Sequence, residues 1–193
     1  MILIKYFELL KLFLNNYAGE SYGRMLAGKV RLSQKAVALA LAELERKGIL
    51  KSRSQGRIKY YHLNAEYSGM KDLITMLETA RKIDFLTARR GLAHIFKKDS
   101  RIVGVFGSHA RDTQKKDSDV DVFVIGARKT EDYEEQGKLF DIDISIKYFK
   151  QKEWETLLKE RNNLVSEIAG NHVVIFGAES FVNLLWRNYY GFN

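Results

Sequence analysis

The sequence predicts an α+β protein with two folded units, and three observations support that prediction. In the first third of the chain, apolar residues recur at helical spacing and are followed by a basic segment with the pattern of a two-stranded hairpin. After residue 100, short apolar runs typical of strands lie between stretches with helical spacing. The excess of positive charge also lies in the first third. We therefore expect one domain over residues 1–68, a helical connector over 69–96 and a second domain over 97–193.

Composition is that of a soluble globular protein. The 193 residues can hold two small domains, and 46% hydrophobic with 29% charged residues is an ordinary balance. The sequence contains no cysteine, which excludes disulfides and thiolate zinc sites and fits a reducing cytoplasm. Residues 1–14 are apolar, but Lys5, Glu8 and Lys11 recur at helical spacing, so we expect an amphipathic helix rather than a signal peptide. Because no stretch approaches the roughly 20 apolar residues that a membrane span requires, we expect a cytoplasmic protein that does not enter a membrane.

Three helices and a hairpin are predicted in the first third of the chain. The predicted helices cover Ile4 to Leu14, Ser21 to Leu26 and Ser33 to about Lys47. Ser33 is a good N-cap for the third helix, and Gly48 stops that helix in the usual C-terminal manner. Residues 49–53 and 58–64, on either side of the turn 54–57, then have the pattern of two paired strands.

Three helices followed by a basic hairpin resemble the winged helix-turn-helix domains of many archaeal and bacterial regulators. The passage that carries the resemblance runs from Leu32 to Leu50 and continues through Gly56-Arg57 to Asn64. Such a domain ordinarily binds duplex DNA with its third helix in the major groove and its wing along the backbone. Residues 1–68 hold 12 Lys or Arg against 5 Asp or Glu, a net charge of +7, whereas residues 69–193 hold 20 against 19, a net charge of +1. This asymmetry agrees with a nucleic-acid partner.

The resemblance implies DNA-contacting side chains at the start of the third helix and on the wing. They are Ser33, Gln34, Lys35, Arg53, Arg57 and Lys59. The outward positions of the third helix are Ala38, Leu39 and Ala42, which offer few groups that distinguish base pairs. We therefore expect DNA binding mainly through phosphates. The alternative is a protein-interaction or dimerisation module that uses Leu39 as an apolar contact.

A helical segment from Met70 to Lys98, as one long helix or two shorter ones, connects the two units. Its apolar positions, which include Met70, Leu73 and Leu77, line one face. That face could form a homodimer seam or pack between the two units, and the sequence favours neither. Further helices are expected over Lys152–Lys159, Asn162–Ala169 and Glu179–Tyr190, and an apolar edge strand over His172–Phe176.

The most informative segment follows residue 100. The apolar run 101–106 predicts a buried strand, and Gly107-Ser108 ends it at a turn where freed N–H groups and a hydroxyl can bind phosphate. Asp119 and Asp121 lie two residues apart on a second apolar strand, so both side chains leave the same face. Two carboxylates on one face repel unless a cation lies between them, and oxygen ligands suit Mg²⁺. The segment therefore joins a phosphate-sized loop to a carboxylate pair for a metal ion.

The pattern Gly-Ser, helix, Asp-x-Asp resembles the nucleotidyltransferase superfamily related to DNA polymerase β, and within it the minimal nucleotidyltransferases of archaea and bacteria. The resemblance implies a mixed β-sheet flanked by helices and a third carboxylate on a later strand. The implied nucleotide-binding residues are Gly107, Ser108 and Arg111. Residues 140–146 supply the later strand in strict alternation, with Asp141 and Asp143 on one face. Asp143 is preferred and Asp141 is the alternative, because the family's carboxylate most often opens an Asp-hydrophobic-Ser-hydrophobic run.

The resemblance implies catalysis by Asp119, Asp121 and Asp143, which would hold one or two Mg²⁺ ions, with an NTP as substrate. An acceptor hydroxyl would attack the α-phosphate in line and expel pyrophosphate, with Asp143 or a second metal ion activating the hydroxyl. The acceptor is either a protein side chain, as in antitoxin relatives that modify a partner toxin, or a small molecule. Asp112 stands where many relatives have glycine and adds negative charge near the triphosphate path. The competing prediction is a DNA-binding transcriptional regulator whose nucleotidyltransferase fold only senses nucleotide or is inactive.

Overall fold

A computed structural model of the chain describes residues 6–116, 118–129 and 132–191. The elements of the N-terminal unit are α1 (Phe7–Lys11), β1 (Ser21–Tyr22), α2 (Gly23–Ala27), α3 (Gln34–Arg46), β2 (Leu50–Gln55) and β3 (Ile58–Leu63). The three strands form an antiparallel sheet in the order β1-β3-β2, in which β2 and β3 are a hairpin. The predicted order of helices and hairpin is therefore present, and a short strand is added at the other edge of β3.

The third helix forms as the sequence predicts. The hydroxyl oxygen of Ser33 accepts a hydrogen bond from the N–H of Ala36 at 3.2 Å, which satisfies one of the free donors at the helix start. The buried residues of α3 are Val37, Ala40, Leu41 and Leu44. Leu39, at one of the predicted outward positions, is 64% exposed. Gly48 follows the helix with a left-handed φ of +72°, which glycine adopts without steric cost.

Two predicted boundaries in the N-terminal unit are wrong. The second helix begins at Gly23 rather than Ser21, because Ser21 and Tyr22 extend the sheet as β1. The ring of Tyr22 packs edge to face on that of Tyr60 with centroids 5.7 Å apart, and this cross-strand pair stabilises the extended backbone. The first helix ends at Lys11, and the predicted helical residues before residue 6 lie outside the described part of the chain.

The connector and the C-terminal unit contain the remaining elements. They are α4 (Met70–Ala88), α5 (Arg90–Ile95), β4 (Ile102–Phe106), α6 (Gly107–Ala110), β5 (Val120–Ile125), α7 (Tyr133–Lys138), β6 (Ile144–Phe149), α8 (Gln151–Lys159), α9 (Asn163–Gly170), β7 (His172–Phe176) and α10 (Ala178–Tyr190). The four strands form one sheet in the order β6-β5-β4-β7, in which β5 and β6 are parallel and the other neighbours antiparallel. The predicted mixed sheet with helices is confirmed, and the connector is two helices. Within the described ranges, none of the helices is long and apolar enough to cross a membrane.

The sheet has an apolar core on each face because its strands alternate. One core contains Val103, Val105, Val120, Val122 and Val124 with Leu92, Ile95 and Tyr133 from α5 and α7. The other contains Ile102, Phe106 and Phe123 with Trp154 and Phe181 from α8 and α10. Asp121 alternates with the valines of β5, so it lies on the same face as Phe123, at the end of the strand.

Helix α4 joins the two units through a shared core. Its buried apolar residues are Met70, Leu73, Ile74, Leu77 and Phe85. The first four belong to one cluster that also contains residues of α1, α3 and α10. The predicted apolar face therefore packs within the chain. A homodimer seam would have to use another face of α4, where Met76 and Ile83 are exposed.

A buried polar cluster also connects α4 to both units. Oε1 of the fully buried Glu78 accepts hydrogen bonds from the hydroxyl of Tyr17 at 3.0 Å and from Nε2 of His172 at 3.1 Å. Nδ1 of His172 lies 2.9 Å from the carbonyl oxygen of Ile168 in α9. Burial raises the pKa of Glu78, but the interactions with His172 and Arg81 and the hydrogen bond from Tyr17 outweigh burial and hold that pKa below its ordinary value. The cluster thus fixes the segment before β1, α4, α9 and β7 to one another.

Candidate functional site

Gly107 determines the backbone conformation at the end of β4. It has a left-handed φ of +68°, and a Cβ at this position would overlap Oδ2 of Asp121 on β5. Glycine is therefore required both for the backbone conformation and for the close approach of the carboxylate. Ser108 follows directly in α6 and is partly exposed. The structure thus brings the predicted Gly-Ser pair next to the second carboxylate of the predicted Asp-x-Asp pair.

Asp119 and Asp121 lie where the chain enters β5. Asp121 is the second residue of the strand and half-buried, whereas Asp119 precedes the strand and is exposed. Burial raises the pKa of the Asp121 carboxyl above its ordinary value, and the carboxylates of Asp119 and Glu167 raise it further. Lys147 and His109 lower that pKa without cancelling the rise. The negative charge of Asp121 is therefore not fully balanced by the protein.

The predicted strand over residues 140–146 is wrong in its first half. Asp141 has a left-handed φ of +57°, and the N–H of Ile142 donates to the carbonyl oxygen of Gly137 at 3.0 Å. These residues therefore close the end of α7 instead of pairing in the sheet. Asp141 consequently does not share a strand face with Asp143, although both line one pocket.

Asp143 lies immediately before β6, which begins at Ile144. Its carbonyl oxygen accepts a hydrogen bond from the N–H of Val120 at 2.8 Å. Because Val120 pairs with Ile144 in the parallel ladder, Asp143 is next to Asp119 across the two strands. Asp143 is thus at the same edge of the sheet as the carboxylate pair.

The carboxylate pair suits a hard cation. Asp119 and Asp121 offer oxygen ligands, and a bound cation would relieve the repulsion that raises the pKa of Asp121. Mg²⁺ usually takes one or two protein carboxylates and completes its shell with phosphates and water, so two aspartates are sufficient. Among the residues that the structure describes, no three His, Asp or Glu side chains are grouped closely enough to hold a metal ion. Asp143 as a third ligand stays a prediction.

Arg111 forms an ion pair that no sequence motif reveals. Its Nη1 donates to Oε1 of Glu167 on α9 at 2.6 Å, and both side chains are 41% exposed. Because Glu167 also acts on Asp121, α9 contributes a carboxylate at the edge of the candidate site. A nucleotide phosphate would have to compete with Glu167 for the Arg111 guanidinium.

Asp112, which stands at a family glycine position, has a left-handed φ of +58°. Glycine adopts this conformation without steric cost, and aspartate tolerates it better than most residues. The Oδ1 atom of Asp112 accepts a hydrogen bond from Nη2 of Arg89 at 2.6 Å. The added negative charge is therefore paired with Arg89.

The residues predicted to contact DNA are all exposed but differ in their partners. They are Ser33, Gln34, Lys35, Arg53, Arg57 and Lys59. Arg53 donates to both carboxylate oxygens of Glu20, with Nε 2.7 Å from Oε1, and Nζ of Lys59 lies 2.7 Å from Oε2 of Glu45. Arg57 lies at the tip of the hairpin between β2 and β3. Two of the three basic residues of the predicted wing are thus paired with carboxylates.

Removing the charge of either neighbouring carboxylate, Asp119 or Glu167, should lower the pKa of Asp121, and the two effects should differ in size. We expect Asp119→Asn to lower this pKa more than Glu167→Gln does, because Asp119 is the larger of the two electrostatic contributions. The control is Glu160→Gln at the exposed end of α8, which should leave the Asp121 pKa unchanged. An NMR titration of the Asp121 carboxyl carbon without metal measures the values. Unchanged values in both site variants would contradict the described proximity of the three carboxylates.

Residues 87–179 match the family model of the nucleotidyltransferase domain. The match contains the whole candidate site, from the Gly-Ser turn to Glu167. No curated protein and no solved structure matches the chain. The C-terminal part of the protein is therefore similar to a nucleotidyltransferase domain, and the matched region begins inside α4, before the predicted boundary at residue 97.

Proposed function

We propose that the protein transfers an NMP group from an NTP to a hydroxyl acceptor in a Mg²⁺-dependent reaction, and that its N-terminal unit is a winged helix-turn-helix domain that binds duplex DNA. The close approach of Gly107 to Asp121, within a domain that matches the nucleotidyltransferase family, carries the first part of the proposal. Binding a metal triphosphate requires a turn open to phosphate and carboxylates for the cation. A glycine turn beside a carboxylate pair meets both requirements.

Each site residue has a role in the proposed reaction. Gly107 keeps the turn open beside Asp121, and the Ser108 hydroxyl donates to a phosphate oxygen. Asp119 and Asp121 hold Mg²⁺, which neutralises triphosphate charge when bound. Asp143 accepts the proton of the acceptor hydroxyl while the hydroxyl oxygen bonds to the α-phosphorus. The bond from that phosphorus to the leaving oxygen breaks, and pyrophosphate departs.

Pyrophosphate release tests the proposed transfer. We expect release with at least one of the four NTPs when the purified protein, Mg²⁺ and a cell extract as the source of acceptors are combined. The Asp121→Asn variant in the same extract is the control and should give only the background of the extract. No release above this background, together with an increase in melting temperature by Mg²⁺ and NTP, would favour the regulator that only senses nucleotide. If pyrophosphate release and the increase in melting temperature were both absent, the proposal that the protein binds a nucleotide would be contradicted.

The charge of the N-terminal unit supports DNA binding through phosphates. Residues 1–68 have a net charge of +7, and Lys35 and Arg57 are exposed at the start of α3 and at the hairpin tip. Arg53 and Lys59 are already paired with carboxylates, so phosphate contacts through them require those ion pairs to open. We therefore assign the larger contribution to Arg57.

Arg57→Ala should weaken DNA binding more than Arg53→Ala does. Loss of one phosphate contact should reduce the slope of log K against log salt concentration by about 0.9, because one fewer counterion is released. Gel shifts over a range of salt concentrations measure both quantities. Lys152→Ala, which removes the same charge from the exposed start of α8, is the control and should change neither. If no protein–DNA complex formed at low salt, the result would favour the protein-interaction module that uses Leu39.

A further inference from the structure

A pocket of about 640 Å³ opens beside the candidate site. It lies between the start of α5, the loop after α6 and the segment before β6. Ser118 and Val120, the two neighbours of Asp119, line it together with Asp143. Asp143 thus lines the pocket, whereas Asp119, Asp121 and Gly107 do not, and Val120 belongs to the opposite face of β5 from Asp121.

The charges of this pocket are divided between the segments that form it. Arg89, Lys115 and Lys116 come from the junction of α4 with α5 and from the loop after α6. Asp141 and Asp143 come from the segment before β6. Basic side chains from one part of the wall and carboxylates from another suit a ligand with an anion at one end and hydrogen-bond donors at the other.

Unpaired polar atoms are concentrated in the same wall. Nε2 of His109 lies 3.1 Å from the carbonyl oxygen of Ser118, so it donates, and Nδ1 is left buried without a partner among the described residues. Nε of Arg89 and Oε1 of Gln114 are also buried and have no hydrogen-bond partner among the residues that the structure describes. All three side chains line the pocket. Because buried polar atoms are nearly always paired, these side chains gain hydrogen bonds if a polar ligand draws them toward the pocket.

We propose that this pocket binds the acceptor of the transfer reaction, and that the acceptor is a small phosphate ester with a free hydroxyl. The inference rests on the proposed function and narrows its substrate class. The phosphate is bound by Lys115 and Lys116, and by Arg89 once its ion pair with Asp112 opens, and the hydroxyl faces Asp143. The volume lies within the roughly 300–1,000 Å³ that is typical of small-molecule sites, and this favours a free small molecule over a protein side chain.

In the transfer to such an acceptor, Asp143 takes up the proton of the acceptor hydroxyl. The hydroxyl oxygen forms a bond to the α-phosphorus of the NTP, and its proton passes to the Asp143 carboxylate. The bond from that phosphorus to pyrophosphate breaks, and pyrophosphate leaves with the electron pair. The product is a phosphodiester that joins the NMP group to the acceptor.

Equilibrium binding without NTP or Mg²⁺ tests the pocket independently of catalysis. Ribose 5-phosphate and AMP are the two probes, and ribose is the probe without a phosphate. We expect at least one phosphate ester to bind saturably by calorimetry at low salt, and ribose not to bind. Tighter binding of AMP would indicate a nucleotide acceptor, and tighter binding of ribose 5-phosphate would indicate a free sugar phosphate. If neither ribose 5-phosphate nor AMP bound saturably, the proposal would be overturned.

Two adjacent lysine pairs provide a matched comparison. Lys115→Gln with Lys116→Gln should weaken binding by about tenfold or more, because two charge-assisted hydrogen bonds are lost. Lys97→Gln with Lys98→Gln removes the same charge from an exposed pair outside the pocket and should leave the affinity unchanged. Equal affinities of the two double variants would overturn the proposal. Lysine-dependent binding without any pyrophosphate release would support the pocket as a phosphate-ester site and contradict the proposed transfer, so the two failures are distinguishable.

Discussion

Asp121→Asn is expected to lower the rate of pyrophosphate release by about 10³-fold at saturating NTP and Mg²⁺. The substitution removes one of the two carboxylates proposed to hold the ion, and several kcal/mol of lost transition-state stabilisation correspond to this factor. Asparagine has nearly the size and shape of aspartate, so the fold is retained. Initial rates over a range of Mg²⁺ concentrations measure the loss.

The same substitution should leave the metal-free protein at least as stable at neutral pH. The pKa of Asp121 is raised above its ordinary value of 3.8, so the folded state prefers the protonated form. Stability linked to that form is present below the unfolded-state pKa and is lost as the pH rises through the folded-state pKa. Asparagine does not ionise, so the Asp121→Asn variant does not lose this stability as the pH rises. Its melting temperature relative to the wild type should therefore be highest at neutral pH and should fall on acidification to about pH 3.

The matched control for this prediction is Asp72→Asn, at an exposed position in the first turn of α4. It should leave the rate unchanged, because Asp72 lies outside the candidate site. Full activity of Asp121→Asn, or a lower melting temperature of that variant at neutral pH, would contradict the assignment of the carboxylate pair.

Gly107→Ala is expected to lower both the free energy of unfolding and the rate of transfer. A left-handed φ costs a residue with a Cβ about 1 kcal/mol, and the new methyl group must also displace the Asp121 carboxylate. A displaced reacting group commonly costs about 100-fold in rate, so we expect a loss of at least that size. Chemical denaturation and pyrophosphate release measure the two effects.

Gly48→Ala separates the backbone cost from the contact. Gly48 has a φ of +72°, close to that of Gly107, but a Cβ there would have no heavy atom within 4 Å. We expect the backbone penalty alone, about 1 kcal/mol, with full activity. If Gly107→Ala were no more destabilising than Gly48→Ala and equally active, the contact with Asp121 would have no functional role.

The strand that carries Asp121 could be predicted because its apolar neighbours alternate and are fully buried, as Val120 and Val122 are. The same argument fails at Phe140 and Asp141, which also alternate. There Asp141 adopts a left-handed conformation that aspartate tolerates, and Phe140 stays 43% exposed. Alternation over four residues does not distinguish a strand from a turn, because it carries no information about a pairing partner.

Ion pairs between distant parts of the chain could not be predicted either. Glu167 is 56 residues from Arg111, and Glu20 is 33 residues from Arg53. In the sequence, both arginines count as free positive charges for phosphate. The fold gives each of them a carboxylate partner, so the composition overstates the positive charge that is available without breaking an ion pair.

The buried hydrogen bonds of Glu78 with Tyr17 and His172 imply that the N-terminal unit cannot be replaced by another domain without loss of stability. Removing residues 1–68 would take away the Tyr17 hydroxyl and the apolar residues packed against α4, and would leave the Glu78 carboxylate without one of its two hydrogen-bond donors. A poorly paired buried carboxylate is costly, so the remaining domain would be destabilised. Joining a different upstream domain to the C-terminal unit would thus require compensating changes at Glu78 and His172. The two halves of the chain are therefore expected to evolve together.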